Sequence, residues 1–422
     1  MVVAGISIGL GVAHFAIAKL FSAWLKSGED ATPRHDDISD GKAVIVVALR
    51  GRDPSLAAML EALAQQTYPD YRVQLVIDGF SDEDWDWLDS LIENQPAPNL
   101  ISVQALRDPP NHCGLKCAAL SQALGQISGD CEYVAFIDAD IIPHNQWLAE
   151  IVQPLKNPEV GVATGLQWFE PAPKGTNMGS WARALWNTVA IVPSAWAANV
   201  WAGSMACRRT DIERVGLEHL WQRSMVDDGP MKSAFSRHGL RVSVCRQLLM
   251  INREACSMRY TMNYMARSLT WSRLYERSFW GACVAATFVT LLLTYWLVTA
   301  LTAVVSGNWV GIWVLLTSAI VGCFFSWVGF QTIRHAVAHS SHHVRSMPLV
   351  KGHRRVVTVV KQWILIVILH FLFPWAVWRA ATSRHVSWRG VRYRIRSPFD
   401  IERLDHPDLP AAGSSVSEYS LE

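Results

Sequence analysis

The sequence predicts an α/β domain with a mainly parallel sheet, set between membrane-spanning helices on its N-terminal and C-terminal sides. Three observations carry that reading. Between residues 43 and 277, short apolar runs rich in β-branched residues alternate with stretches of helical spacing, the pattern of βαβ units. Long runs almost free of charge flank this region on both sides. Half of the 422 residues are hydrophobic and only 18% are charged, with 20 tryptophans; ordinary soluble proteins carry roughly 25% charged residues. The same figures exclude disorder, a collagen repeat and a small disulfide scaffold. A net charge of +2 excludes a global polyanion binder, so no nucleic-acid partner is expected, although a local basic patch is left open.

The elements follow in order. From Val2 to about Leu25 the chain is apolar, interrupted by His14 and Lys19, and long enough to span a bilayer. No basic stretch precedes it, which favours an uncleaved anchor (residues 1–26) over a signal peptide. Residues 27–42 are polar and loop-like. Val44–Ala48, Val73–Ile77, Ile101–Ala105 and Tyr133–Ile137 read as strands; Ser55–Gln66, Asp82–Glu93 and Leu115–Ile127 read as helices. The strand runs are too apolar to have one wet face, so the sheet of this 43–277 domain should be covered on both sides. Phe279–Val305 and Trp309–Phe330, joined by Ser306-Gly307-Asn308, read as a transmembrane hairpin. Residues 331–355 are basic and rich in histidine. Val356–Trp378 is apolar but interrupted by Lys361, His370 and Pro374, which favours a re-entrant or interfacial segment over a span and closes a 278–378 membrane unit. A basic tail (379–422) follows, with a disordered end from Asp405. Arg334, Arg345, Lys351, Arg354 and Arg355 place the 331–355 loop, and with it the domain, in the cytoplasm. The eight cysteines contain no CxxC pair and are expected to be reduced thiols.

Ligands of open α/β sheets bind beyond the carboxyl ends of the strands. Asp78 directly follows one strand run, and Asp138-Ala139-Asp140 directly follows another. Two carboxylates one residue apart suit a hard divalent cation shared with substrate phosphates, or an ordinary acidic turn. Residues 227–237 read as a helix with Asp227 and Asp228 at or before its N-terminus; one would serve as its N-cap, and the other is a candidate general base for a hydroxyl. Arg267 and Trp271 lie four apart on one helical face just before the hairpin. That segment (260–277) reads as an interfacial helix, or as one whose Arg267 meets a departing diphosphate while Trp271 shapes an acceptor pocket.

In this order, Asp78, Asp138-x-Asp140, Asp228 and Arg267-x-x-Thr270-Trp271 resemble the D, D, D, (Q/R)xxRW signature of glycosyltransferase family 2, and more narrowly its ceramide glucosyltransferase-like branch. Leu49-Arg50-Gly51-Arg52-Asp53-Pro54-Ser55-Leu56, Tyr68-Pro69-Asp70-Tyr71, Ala202 to Arg209 and Trp388-Arg389-Gly390-Val391-Arg392-Tyr393-Arg394 resemble further segments of that branch, so the likeness runs from about residue 44 to 396. The resemblance implies a Rossmann-like GT-A domain. It implies that Asp78 contacts the nucleotide, that Asp138 and Asp140 hold the diphosphate and metal, and that Asp228, with Asp227 beside it, is the catalytic base. Lys116, Arg267 and Trp271 would join the donor site. The family has Arg where Thr270 stands here. The expected activity is inverting transfer of one sugar, glucose from UDP-glucose, to a lipid hydroxyl such as that of ceramide, with Mg²⁺ or Mn²⁺. The expected partners are a nucleotide-sugar donor, a lipid acceptor and the bilayer. Short termini without sorting signals point to a bacterial inner membrane. A processive polysaccharide synthase and a non-enzymatic membrane scaffold are the competing readings. His335, His339, His342 and His343 superficially resemble diiron histidine boxes, but a single compressed cluster fits a basic interfacial loop better.

Overall fold

A computed structural model describes residues 2–27, 41–171, 177–339 and 356–404. Helix α1 (Val2–Lys26) leads into the α/β domain, whose elements are β1 (Ala43–Arg50), α2 (Leu56–Ala64), β2 (Tyr71–Asp78), α3 (Asp82–Glu93), β3 (Ile101–Ala105), α4 (Leu115–Leu124), β4 (Tyr133–Ile137), α5 (Trp147–Val152), β5 (Val160–Phe169), α6 (Met178–Trp196), β6 (Ser204–Arg208), α7 (Arg209–Val215), α8 (Leu217–Trp221), α9 (Met231–Arg237), β7 (Arg241–Asn252) and α10 (Met258–Tyr275). Then come α11 (Ser278–Val305), α12 (Trp309–His339), α13 (Val356–Thr382) and three short strands, β8 (His385–Trp388), β9 (Val391–Ser397) and β10 (Asp400–Arg403).

Among the described residues, seven strands form one sheet in the order β3-β2-β1-β4-β6-β5-β7. Strands β1 to β4 run parallel, and only β6 opposes its neighbours. Alternate side chains of a strand point to opposite faces. Ile45, Val47 and Leu49 pack on one face with Leu56, Leu60 and Trp147, while Val46 packs on the other with Phe136, Leu120 and Trp221. Both faces are therefore covered, which is why the strand runs are apolar throughout. The chain order reverses at β1, whose neighbours are β2 and β4, so a crevice opens beyond the carboxyl ends of these strands.

Four described helices, α1, α11, α12 and α13, are long and apolar enough to cross a membrane. α1 and α12 pack closely because glycines meet: a Cβ on Gly11 would lie 2.7 Å from the Gly322 carbonyl oxygen. The inner end of α12 docks on the domain through Arg334, which is buried and paired with Glu170 beyond the end of β5. Arg334 thus belongs to the interior rather than to the basic flank with which it was grouped above. The rest of that flank, with His342 and His343, lies outside the described residues, as do most of the 27–42 linker and the 405–422 end. α13 is one continuous helix through Pro374, not a segment that turns back on itself. It touches α11 near Phe279 and Ala286, and α12 where Trp327 Nε1 donates to Gln362 Oε1 at 2.7 Å. Leu365 and Ile366 cluster with Trp181 and Ile333, and Ala376 and Ala380 cluster with Met265 and Tyr393, while Val357, Val360, Ile364, Val367 and Phe371 form an exposed apolar stripe.

Residues 385–403, read above as a basic tail, form a three-stranded antiparallel sheet. Val391, Tyr393 and Ile395 point inward while Arg392 and Arg396 point out. The sheet docks on the domain: Leu115 N donates to Tyr393 Oη at 3.3 Å, Arg403 N donates to the Asn111 carbonyl at 2.8 Å, and Tyr275 Oη donates to the Pro398 carbonyl at 2.8 Å.

Candidate active site

A cavity of about 730 Å³ lies at the carboxyl ends of β1, β2 and β4, and Asp78, Lys116, Asp138, Asp140, Asp227, Asp228, Arg267 and Trp271 all line it. These eight residues, up to 193 positions apart in the sequence, thus share one space.

Asp78 ends β2, opposite Arg50 at the end of β1, and the two form an ion pair. α4 begins at Leu115, where Gly114 allows a close approach: a Cβ there would lie 2.2 Å from the Met225 carbonyl oxygen. The helix start therefore lies against the 224–228 loop, and Lys116 Nζ reaches both Asp138 Oδ1, at 2.5 Å, and Asp227 Oδ2, at 2.9 Å. Burial alone would lower the Lys116 ammonium, but the two carboxylates outweigh it and hold its pKa above the usual value. Asp227 is itself pushed up by burial, against the pull of Lys116.

Neither Asp227 nor Asp228 caps a helix. α9 starts at Met231, after Gly229-Pro230, and has no side-chain cap; the expected 227–237 helix is shorter because proline favours the helix start and cannot supply an interior N–H. Asp228 instead accepts a hydrogen bond from Ala202 N at 3.3 Å. Burial, and then the neighbouring charge of Asp227, push its carboxyl up to about 7. Asp140 is raised to about 7 by burial and by Asp138, and it accepts from Asn252 Nδ2 at 3.1 Å.

On α10, Arg267 lies over the Tyr264 ring at 5.8 Å, and Trp271 packs at the edge of a cluster that includes Met265 and Leu269. Thr270 is fully buried and its hydroxyl donates to its own helix at the Ala266 carbonyl, 2.9 Å away. It lies off the cavity wall formed by Leu269, Trp271 and Ser272.

Several lining residues escaped sequence reasoning. Asn252, at the end of β7, orients Asp140 and accepts from Arg183 Nη2 at 3.5 Å. Arg183, buried on α6, also pairs with Glu254 at 3.3 Å and lies 4.3 Å from the Phe169 ring centroid. No spacing links these positions; only the fold does. Trp388, Arg389 and Tyr393 reach the cavity from the C-terminal sheet.

Asp138 and Asp140 offer hard oxygen donors; Asp140 is raised by burial first and then by the charge of Asp138, and a divalent cation would offset that charge. Among the described residues no cluster of three or more His, Cys, Asp or Glu side chains forms a metal cage. The pair therefore fits a cation whose shell is completed by phosphate oxygens rather than by protein alone. His335 and His339, on α12, stack with ring centroids 4.3 Å apart.

Residues 6–400 match the family model described as glycosyl transferase family 21. That family is ceramide glucosyltransferase-like, so the branch indicated by the motifs stands and its family number is 21 rather than 2. No curated protein matches the chain. Among solved structures, it is similar to the mannosyltransferase PcManGT from Pyrobaculum calidifontis in complex with GDP-Man and Mn²⁺, at 17% identity and a TM-score of 0.47, covering 90% of this chain and 99% of that one. It is also similar to glucosyl-3-phosphoglycerate synthase from Mycobacterium tuberculosis in complex with Mn²⁺, uridine-diphosphate and phosphoglyceric acid, at 16% identity and a TM-score of 0.35, covering 59% of this chain and 82% of that one.

Proposed function

Because the chain belongs to glycosyl transferase family 21, we propose that this glycosyltransferase moves a single glucose from UDP-glucose to the hydroxyl of a membrane lipid such as ceramide, with inversion at the sugar. One observation carries the reading. The cavity that holds the carboxylates is continuous with a wall made by Phe279, Ala282 and Ala285 of α11 and Phe373 of α13. A charged donor end and an apolar, membrane-facing end thus share one volume, as a soluble nucleotide sugar and a lipid hydroxyl require.

Asp228 is the base. Its buried carboxyl, raised to about 7, is matched to proton abstraction near neutrality. The acceptor oxygen attacks the anomeric carbon, its proton passes to Asp228, and the bond from the sugar to the diphosphate breaks as the new glycosidic bond forms. A divalent cation, Mg²⁺ or Mn²⁺, held by Asp138 and Asp140, would neutralise charge on the departing diphosphate. Lys116 ties Asp138 to Asp227, and so keeps the donor carboxylates and the base in register. Asp78 lies at the nucleotide end; Arg267 and Trp271 face the region between donor and acceptor. In this reading the domain faces the cytoplasm of a bacterial inner membrane. α13 lies along the membrane face, since both its halves pack on the domain and its apolar stripe is left for lipid.

The test is transfer by purified protein in lipid micelles with a panel of UDP- and GDP-sugars and Mn²⁺, with extracted lipids weighed by mass spectrometry. One hexose on one lipid class is the expected product. Long glycans would replace this reading with a polysaccharide synthase, and absence of transfer from every donor would leave a scaffold.

A further inference from the structure

The hairpin joining β8 to β9 has a two-residue loop, because Trp388 pairs with Val391 across it. Both loop residues, Arg389 at φ 45° and Gly390 at φ 79°, adopt the left-handed conformation. Such primed turns favour Asn-Gly or Asp-Gly, and a residue with a long side chain in the first position costs on the order of 1 kcal/mol. The backbone would be better served by another residue, so the reason for arginine lies in its side chain.

That side chain points to the donor end of the cavity. The hairpin tip is pinned to the end of β1 by reciprocal hydrogen bonds: Arg389 Nη1 donates to the Arg50 carbonyl at 3.1 Å, and Arg50 Nε donates to the Arg389 carbonyl at 3.2 Å. Arg389 Nη2 lies 3.7 Å from Asp53 Oδ2, and a third of the side chain, 34%, remains open. Trp388 and Arg389 both form cavity wall. Arg50 is paired with Asp78, and Lys116 with Asp138 and Asp227, at the same end.

We propose that Arg389, carried on the tip of the C-terminal hairpin, grips the diphosphate of the nucleotide-sugar donor. A guanidinium presents a planar fork that matches two phosphate oxygens, and its fixed charge stabilises the diphosphate as negative charge develops on it. The assignment rests on the glycosyltransferase reading above and adds to it one more donor residue, from a part of the chain more than 240 positions beyond the acidic motif Asp138-Ala139-Asp140.

The experiment is calorimetric titration of the full-length protein in nanodiscs, with Mn²⁺, against UDP and UMP. Arg389→Asn removes the charge while keeping a residue that tolerates the left-handed turn. It should weaken UDP binding by about tenfold or more, the scale of one charge-assisted contact, and UMP binding much less. Arg389→Lys keeps the charge without the fork and should fall between, which provides a reading even where the Asn variant folds poorly. UDP affinity unchanged in both variants would overturn the assignment while leaving the glycosyltransferase reading intact; a wild-type protein that binds neither UDP nor UMP would overturn both. A soluble phosphatidic acid forms the second arm: a larger loss there than for UDP would place Arg389 at a lipid phosphate and reject the donor role.

Discussion

The sharpest prediction concerns the pH dependence of transfer. As the proposed base, Asp228 would act only when ionised, and its carboxyl is raised to about 7 by burial and by Asp227. For a single group titrating there, about nine-tenths is ionised at pH 8, half at pH 7 and a tenth at pH 6. Turnover at saturating donor, lipid and metal should therefore fall about fivefold from pH 7 to 6 and about tenfold from pH 8 to 6. A solvent-exposed aspartate would show no such fall until pH 4 to 5. Asp227→Asn removes the neighbouring negative charge and leaves Lys116 to act alone, so the acid limb should move to lower pH. The assay is the initial rate of hexose transfer between pH 5.5 and 8.5, with protein integrity checked at each end. A flat profile over that range, or an acid limb that moves upward in Asp227→Asn, would refute the assignment of Asp228 as a buried base raised by its neighbour.

Two further outcomes concern stability. Arg334→Met strands the buried Glu170 carboxylate and should cost about 3–5 kcal/mol, while Arg334→Met combined with Glu170→Met should recover most of it; thermal melting in detergent decides, and equal melting of the single variant and wild type would contradict a buried ion pair. Glu150 is fully buried, faces His144 at 3.5 Å and is raised by burial to about 8. Its folded value exceeds its unfolded one, so its contribution is full at pH below about 4.5 and is lost as pH rises through about 8. Glu150→Gln should flatten this dependence, and the variant should gain on wild type between pH 6 and pH 9; the same difference in melting temperature at both pH values would sink the idea.

The parallel half of the sheet was legible because burial on both faces leaves an unmistakable apolar run, as in Val44–Ala48 and Tyr133–Ile137. The strand ends were legible too, since Asp78 and Asp138-Ala139-Asp140 interrupt those runs where a chain must leave the sheet. The contacts among site residues were not. Asn252 meets Asp140 only because β5 and β7 pair beside it, and no local periodicity encodes a contact 112 residues apart. The C-terminal sheet did carry a local signal: in Val391-Arg392-Tyr393-Arg394-Ile395-Arg396 apolar and basic residues alternate strictly. By its charge the segment reads as a basic tail; by its period of two it reads as a strand. Thr270 shows the opposite case: it departs from the motif, and its side chain turns into helix packing off the cavity wall.

Closing the cavity with residues 388–393 has a consequence for biogenesis. Every acidic residue of the site emerges from the ribosome before α11, α12 and α13, whereas the hairpin that walls the donor end emerges after all three. A nascent chain with a complete sheet therefore still has an open-sided site, and the last wall docks only once the preceding helices have brought it back to the domain. Under the donor role proposed for Arg389, full donor affinity is reached only once the three preceding helices are in place and the hairpin has docked.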